Sequence, residues 1–207
     1  ALLQRLARVK PQLKGTEFKF KEHNAYVEAV SPWGNKLRVF EPDEERFGKV
    51  LLGVPYVEFT VPEGTAKGIA RFYREILKTP ARVEENGEGR AAHATVGIGQ
   101  ELVFRETDEK IPEYDGHHLQ VYLADFSGPY KELLKRDLVS EESDQHQYRF
   151  QEIVDPKNGK HLFTVEHEIR SMRHPLYARP LVNRNPAQTN MHYAPFHDSF
   201  IWTMPLS

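Results

Sequence analysis

At 207 residues, 39% hydrophobic and 28% charged, the chain is long enough for one large domain or two small ones and has the composition of an ordinary folded globular protein. A formal net charge of -2, with no long block of like charges, excludes recruitment of nucleic acid or an anionic membrane by a global field. Cysteine is absent, which excludes disulfides, thiolate metal sites and a cysteine nucleophile. No apolar run approaches the roughly 20 residues of a membrane span, and a cytoplasmic location is the default expectation.

In chain order, the basic opening ALLQRLARVK places Leu2, Leu3, Leu6 and Val9 at helical spacing, and Pro11 limits that helix. The stretch imitates a transit peptide but lacks the apolar core and cleavage site of a secretory signal. Short strands follow at 18–20, 26–30 and 37–40, the last two separated by the turn residues Ser31-Pro32-Trp33-Gly34-Asn35. A strand at 56–61 precedes a helix carrying Ile69, Phe72, Tyr73, Ile76 and Leu77, which Lys78-Thr79-Pro80 ends. Strands are expected at 91–98 and 101–105, with Asn86-Gly87 and Gly97-Ile98-Gly99-Gln100 as turns. The Gly97 turn is no phosphate loop, because neither Lys-Ser/Thr nor a helix follows it. A strand at 118–123, a helix carrying Tyr130, Leu133, Leu134, Leu138 and Val139, and strands at 148–154 and 162–166 complete the pattern.

That order contains a repeat. With Tyr56 laid over His118, Phe72 falls on Leu134, Ile76 on Leu138 and Leu77 on Val139. The turn at Ser31 also resembles Asp155-Pro156-Lys157-Asn158-Gly159, each feeding a final strand. Residues 1–46 therefore read as the C-terminal part of a module made of a helix, strands, a turn and a last strand. Residues 53–107 and 115–172 read as complete modules. The opening strand of the first module is not in this sequence, and a piece of a longer protein is favoured over a degenerate module. An orphan half module leaves a sheet edge that needs cover. Residues 173–207 form a Pro- and aromatic-rich tail with Phe196, Phe200 and Trp202, expected to wrap over its own domain or a second subunit. A lid with His192, His197 and Asp198 as metal ligands is the lesser alternative.

The run Tyr56-Val57-Glu58-Phe59-Thr60-Val61, followed by Ala70-Arg71-Phe72-Tyr73-Arg74-Glu75-Ile76-Leu77, resembles the opening of a glyoxalase-type module, with Lys78 where that pattern often has Gly. His118-Leu119-Gln120-Val121-Tyr122-Leu123 resembles the opening strand of a partner module, and Asp155-Pro156 through Gly159 resembles the family's DPxGxxxE hairpin. On these residues the chain resembles the vicinal-oxygen-chelate superfamily of glyoxalases, bleomycin-resistance proteins and extradiol dioxygenases. The resemblance implies an α+β fold of paired βαβββ modules forming a partly closed mixed sheet. It also implies a divalent metal (Fe, Mn or Zn) held by the first and last strands of each module, chelating two neighbouring oxygens as a Lewis acid. Other members bind a ligand without catalysis.

Carried over one position at a time, the ligand set is incomplete. Tyr56 stands where the enzymes often have His, Glu101 and His118 (beside His117) match, and Phe163 stands where a Glu is expected. Two matching ligands are fewer than a stable site needs. Phe163 and Val165 point one way and Glu166 the other, so Glu166 reaches the Phe163 face only through a bulge. The strand faces of Tyr56, Glu58 and Thr60 and of His118, Gln120 and Tyr122 are polar where the opposite faces are apolar, and the polar set is expected to line a pocket. The leading expectation is small-molecule binding, or metal-independent acid/base chemistry with Glu101 and His118 as catalytic groups, and Tyr56, Glu58, Gln120, Tyr122 and Phe163 as ligand-binding groups. The ligand is an organic molecule, aromatic or carboxylate-bearing. The alternatives are a metal-dependent dioxygenase, lyase or isomerase with Glu101 and His118 among a shifted ligand set, and a noncatalytic homo-oligomeric member.

Overall fold

A computed structural model describes residues 1–50, 53–177, 179, 185, 187–189 and 193. The chain divides into two compact units, Ala1–Gly53 and Val54–Ser207.

The first unit runs α1 (Leu2–Val9), a 3-10 turn (Lys10–Leu13), β1 (Lys19–Glu22), β2 (Tyr26–Val30), β3 (Lys36–Phe40) and α2 (Glu44–Phe47). Pro11 sits at the start of the 3-10 turn, where its missing N–H costs nothing. The three strands form an antiparallel sheet in the order β1-β2-β3. Ser31 Oγ caps the β2–β3 turn by accepting the N–H groups of Trp33 and Asn35. Asp43 caps α2 by accepting from the Arg46 N–H at 3.0 Å. Leu37 and Val39 share one face of β3 and remain 48% and 42% exposed.

The second unit holds two βαβββ modules. Module one is β4 (Tyr56–Pro62), α3 (Ala66–Glu75), β5 (Ala81–Asn86), β6 (Gly89–Gly97) and β7 (Gln100–Thr107), in sheet order β4-β7-β6-β5. Module two is β8 (His118–Leu123), α4 (Ser127–Leu134), β9 (Val139–Ser143), β10 (Gln147–Val154) and β11 (His161–Ser171), in the matching order β8-β11-β10-β9. In each, the first strand lies parallel to the last and the remaining pairs are antiparallel. The fold is thus α+β with repeated βαβββ modules, and its two mixed sheets are not closed.

Two details differ from the expected elements. Val139, expected in a helix, opens β9; Asp137 takes a left-handed backbone (φ 56°) and stops α4 first. The strands Ala81–Asn86 and Val139–Ser143 are absent from the expected elements. Each is the outer strand of its sheet and carries Glu or Arg at most exposed positions; β5 alternates only over Ala81–Glu84, and β9 not at all, so the apolar signal is short or missing.

Helix α3 holds the two modules together. Its Ile69, Phe72, Tyr73 and Ile76 are fully or almost fully buried, and each contributes about 1.5–3 kcal/mol of burial. Phe72 packs on Phe150 of β10 with ring centroids 5.6 Å apart, while Tyr73 packs on Phe104 of β7 at 5.4 Å. Arg71 donates to both oxygens of Asp155, at 2.6 and 2.7 Å, in the turn before β11. Gly68 lies against Leu162, where an added Cβ would stand 2.7 Å from Leu162 Cδ1.

At the centre, the His167 Nδ1–H donates to the Val165 carbonyl at 2.9 Å, and Nε2 accepts from the Tyr73 hydroxyl at 2.6 Å. His167 stacks on Phe150 with centroids 4.3 Å apart. Both polar groups are buried and satisfied, which keeps their burial affordable. Burial pushes the His167 imidazole down to about 4 and the Tyr73 phenol well above its ordinary range. Below about pH 6.5 the unfolded chain binds a proton at this position that the folded chain refuses until about pH 4. Stability therefore falls as pH drops through that window, by on the order of 3 kcal/mol. Urea unfolding between pH 4 and 7 should show this slope, and the double replacement Tyr73→Phe/His167→Phe should flatten that part of it.

Lys78 follows α3 with φ 57°, a left-handed conformation that a side chain resists. Lys78→Gly should raise the unfolding free energy by roughly 0.5–1 kcal/mol, measured by denaturant melts at constant pH.

Candidate functional site

Strand alternation in each module sends most apolar residues of the first strand toward the buried core and the polar ones to the opposite face, with Val57 at the start of β4 left exposed. On β4, Val61 is fully buried and Phe59 stacks on Phe104, whereas Tyr56, Glu58 and Thr60 point away. Parallel pairing carries that face across the sheet. Tyr56 stands beside Glu101, Glu58 beside Val103 and Thr60 beside Arg105; Glu101 then meets Thr95, Val103 meets His93, and His93 meets Arg82. In module two, His118 stands beside Glu166, Gln120 beside Glu168 and Tyr122 beside Arg170, with Arg149 and Gln147 next in line.

Both polar faces are laced with ion pairs. Arg82 donates through Nε to Glu84 at 2.6 Å and through both Nη groups to Glu101. His93 Nδ1 lies 3.0 Å from Glu101 Oε2, and its Nε2 lies 3.6 Å from Glu84. Arg105 donates to Glu58 at 3.0 Å. In module two, Arg149 donates to Glu166 at 3.0 Å and to Glu168 at 2.8 Å, and Gln151 donates to the other oxygen of Glu166 at 3.2 Å. Arg170 pairs with Glu168 and donates to Gln147 at 3.1 Å. Carboxylates outnumber guanidiniums here: Glu58, Glu84, Glu101, Glu141, Glu166 and Glu168 against Arg82, Arg105, Arg149 and Arg170.

These contacts set the ionisation. The Arg82 guanidinium, ahead of His93, holds the Glu101 carboxyl below the usual carboxylate range despite partial burial, and Glu101 in turn raises Arg82. Glu101 is thereby a poor proton acceptor near neutrality, and its geometry suits orienting His93, whose side chain is only 13% exposed.

The expected site residues divide. Tyr56, Glu58, Glu101, His118, Gln120 and Tyr122 all lie on the polar faces. Glu101 contacts Arg82 and His93; His118 is exposed and takes no side-chain hydrogen bond among the described residues. Neighbouring His117 is turned toward Asp115, 2.6 Å from its Nδ1, and stacks on Phe59. Phe163 lies on the opposite face, packed against Phe59 and Phe104 under α3. The reason is register: β7 meets β4 at its second residue, Glu101, whereas β11 runs five residues past its longer turn before meeting β8 at Glu166. The partner of His118 is therefore Glu166, without any flip of alternation. His93, Arg82 and Arg149 are not among the residues the sequence singles out, whereas Glu166 is considered there only as reaching the Phe163 face through a bulge; the shared face of Ala91, His93 and Thr95 was the available signal.

Among the described residues, no three His, Asp or Glu side chains stand close enough to hold a metal ion, so Glu101 and His118 do not form such a set. His192, His197 and Asp198, and the tail aromatics Phe196, Phe200 and Trp202, lie outside the described residues. Two shallow open hollows lie in the first unit, around Leu3, Ala7 and Phe20 and around Lys10, Leu13 and Phe18. The polar face of module two is covered at one end, where His174 and Tyr177 pack edge-on against Tyr122. On module two, Arg149 Nε, Glu168 Oε1 and His174 Nε2 are buried with no hydrogen-bond partner, Glu168 Oε1 lying in an ion pair with Arg170. His174 Nδ1 accepts the Leu176 N–H at 3.1 Å, so its Nε2 carries the proton and, like Arg149 Nε, is a donor.

Mixed βαβββ sheets with this strand order define an α+β protein of two repeated modules. Solved structures that match include TnmS3, an antibiotic binding protein from Streptomyces sp. CB03234, at 18% identity and TM-score 0.40, covering 59% of this chain and 97% of that one. A glyoxylase/bleomycin resistance protein/dioxygenase domain from Frankia sp. EAN1pec matches at 22% identity and TM-score 0.39, covering 58% and 93%. The fosfomycin resistance protein FosX from Mesorhizobium loti matches at 14% and 0.38, covering 56% and 89%. No family model and no curated protein sequence matches the chain. These are likenesses at low identity; the module architecture rests on the strand order and register given above. No helix among the described residues is long and apolar enough to cross a membrane.

Arg82→Met should raise the Glu101 carboxyl titration, followed by side-chain 13C NMR. Because the pair is partly exposed, unfolding free energy should move by less than about 1 kcal/mol.

Proposed function

We propose that the second unit binds a small aromatic molecule bearing carbonyl or hydroxyl oxygens on its polar faces and supplies metal-independent acid/base groups there. The observation that carries the binding reading is the buried, unpartnered donor His174 Nε2 beside the ring of Tyr122, with a second such donor, Arg149 Nε, on the same module. Donors left unsatisfied favour a ligand that brings acceptor oxygens, and the ring favours a flat apolar body. The surplus of carboxylates makes a carboxylate-bearing ligand the weaker fit. His93, oriented by ionised Glu101, is the proton acceptor in this reading; Glu101 positions it, and His118 beside Glu166 is the second imidazole on the face.

The test uses 4-hydroxyacetophenone, which offers a ring, two oxygens and exchangeable methyl protons. Titration followed by amide NMR should give saturable shifts around Tyr122, Arg149 and His174. Benzoate should bind at least several-fold more weakly. Methyl deuterium exchange in D2O should be faster with the protein and should lose that acceleration in His93→Asn, which keeps binding. Shifts confined to other surfaces, or none at millimolar probe, would refute the binding reading; binding without His93-dependent exchange would refute the acid/base part.

A further inference from the structure

The first and last strands of the two modules place Glu101 and Glu166 in matching positions, one beside Tyr56 and the other beside His118. Such carboxylates are suitable metal donors by chemistry, and His118 is another. Every oxygen of both carboxylates is already engaged by a protein donor. Glu101 takes both Nη groups of Arg82 and the ring nitrogen of His93. Glu166 takes Arg149 on one oxygen and Gln151 on the other. The closing arginines come from different places: Arg82 reaches across β6 from the outer strand β5, whereas Arg149 sits on β10 directly beside β11. Two unrelated placements thus give one outcome.

We infer that Arg82 and Arg149 close the last-strand carboxylates against divalent cations, so that fixed guanidinium charge stands in this chain where a bound cation would otherwise balance Glu101 and Glu166. A guanidinium remains protonated at every accessible pH, so the closure does not open as pH rises, unlike one made by lysine or histidine. A divalent ion must break a two-point contact at Glu101, and a contact at Glu166 that Glu168 reinforces by holding the other arm of Arg149. Opening Arg149 alone leaves Glu166 and His118 side by side as a two-donor pair.

This inference concerns the same face as the proposed function but requires no organic ligand. Its test is metal binding to the full chain without any probe molecule, so failure of aromatic binding leaves the result readable. Equilibrium dialysis against Mn2+ and Zn2+, with elemental analysis, should find less than a tenth of an equivalent on the wild-type protein at micromolar free metal. Arg82→Met/Arg149→Met should bind at least tenfold more tightly, and adding Glu101→Gln/Glu166→Gln should abolish the gain. Stoichiometric binding to the wild type that Glu101→Gln/Glu166→Gln removes would overturn the inference, as would a folded double arginine variant with no gain. Should that variant fail to fold, paramagnetic broadening by Mn2+ decides: the amides of His118 and Glu166 should stay sharp in wild type and broaden in Arg149→Met. Broadening in the wild type, or equal sharpness in both, would overturn it.

Discussion

The parallel pairing of the first and last strands in each module is the constraint on which the second unit depends. A parallel pair cannot be joined by a tight turn, so the chain must cross over, and the crossover brings α3 or α4 and two further strands with it. The same pairing fixes which side chains share a face. Tyr56 meets Glu101 and His118 meets Glu166 because β4 and β7, and β8 and β11, run side by side in one direction. A one-residue slip in either pair would bury Glu58 or Gln120 under a helix and expose Phe59 or Leu119, at a cost far larger than any ion pair on the polar side could offset.

Helix α3 turns two modules into one body by facing both sheets. Phe72, Tyr73 and Arg71 lie within one turn and make, respectively, an apolar contact with β10, a hydrogen bond to β11 and an ion pair, through Nη1 to both Asp155 oxygens, to the turn between them. The polar members are satisfied because their partners come from the other module, so separating the modules would leave His167 and Tyr73 without each other in a dry interior. This ties the geometry of the polar faces to the packing behind them.

On the polar faces the dominant motif is carboxylate against guanidinium. Charges that would repel one another in a row of glutamates are instead arranged as Arg82 between Glu84 and Glu101, Arg105 beside Glu58, and Arg149 between Glu166 and Glu168. Exposed pairs of this kind contribute little to stability individually. Their consequence lies in ionisation and geometry: Glu101 stays charged and fixed, and His93 acquires an oriented partner.

Much of the architecture was legible in the chain itself. Alternation on 56–61 and 118–123 is a local property of the backbone, so the polar and apolar faces of β4 and β8 follow from residue order alone. The helix of Ile69, Phe72, Tyr73 and Ile76 and the repeat of strand, helix and strands follow in the same way. Edge strands Ala81–Asn86 and Val139–Ser143 were obscured because an exposed, charged strand has little apolar signal: Ala81 and Val83 alternate with Arg82 and Glu84 for only four residues, and Val139 is the only apolar residue of its strand. Only the tertiary structure decided that Phe163 packs under α3 while Glu166 meets His118, since register between distant strands depends on the length of the turn at Asp155. Only it decided, too, that Arg82 and Arg149 engage Glu101 and Glu166. These ion pairs form between residues 19 and 17 positions apart in the chain, and nothing in their local sequence names the partner.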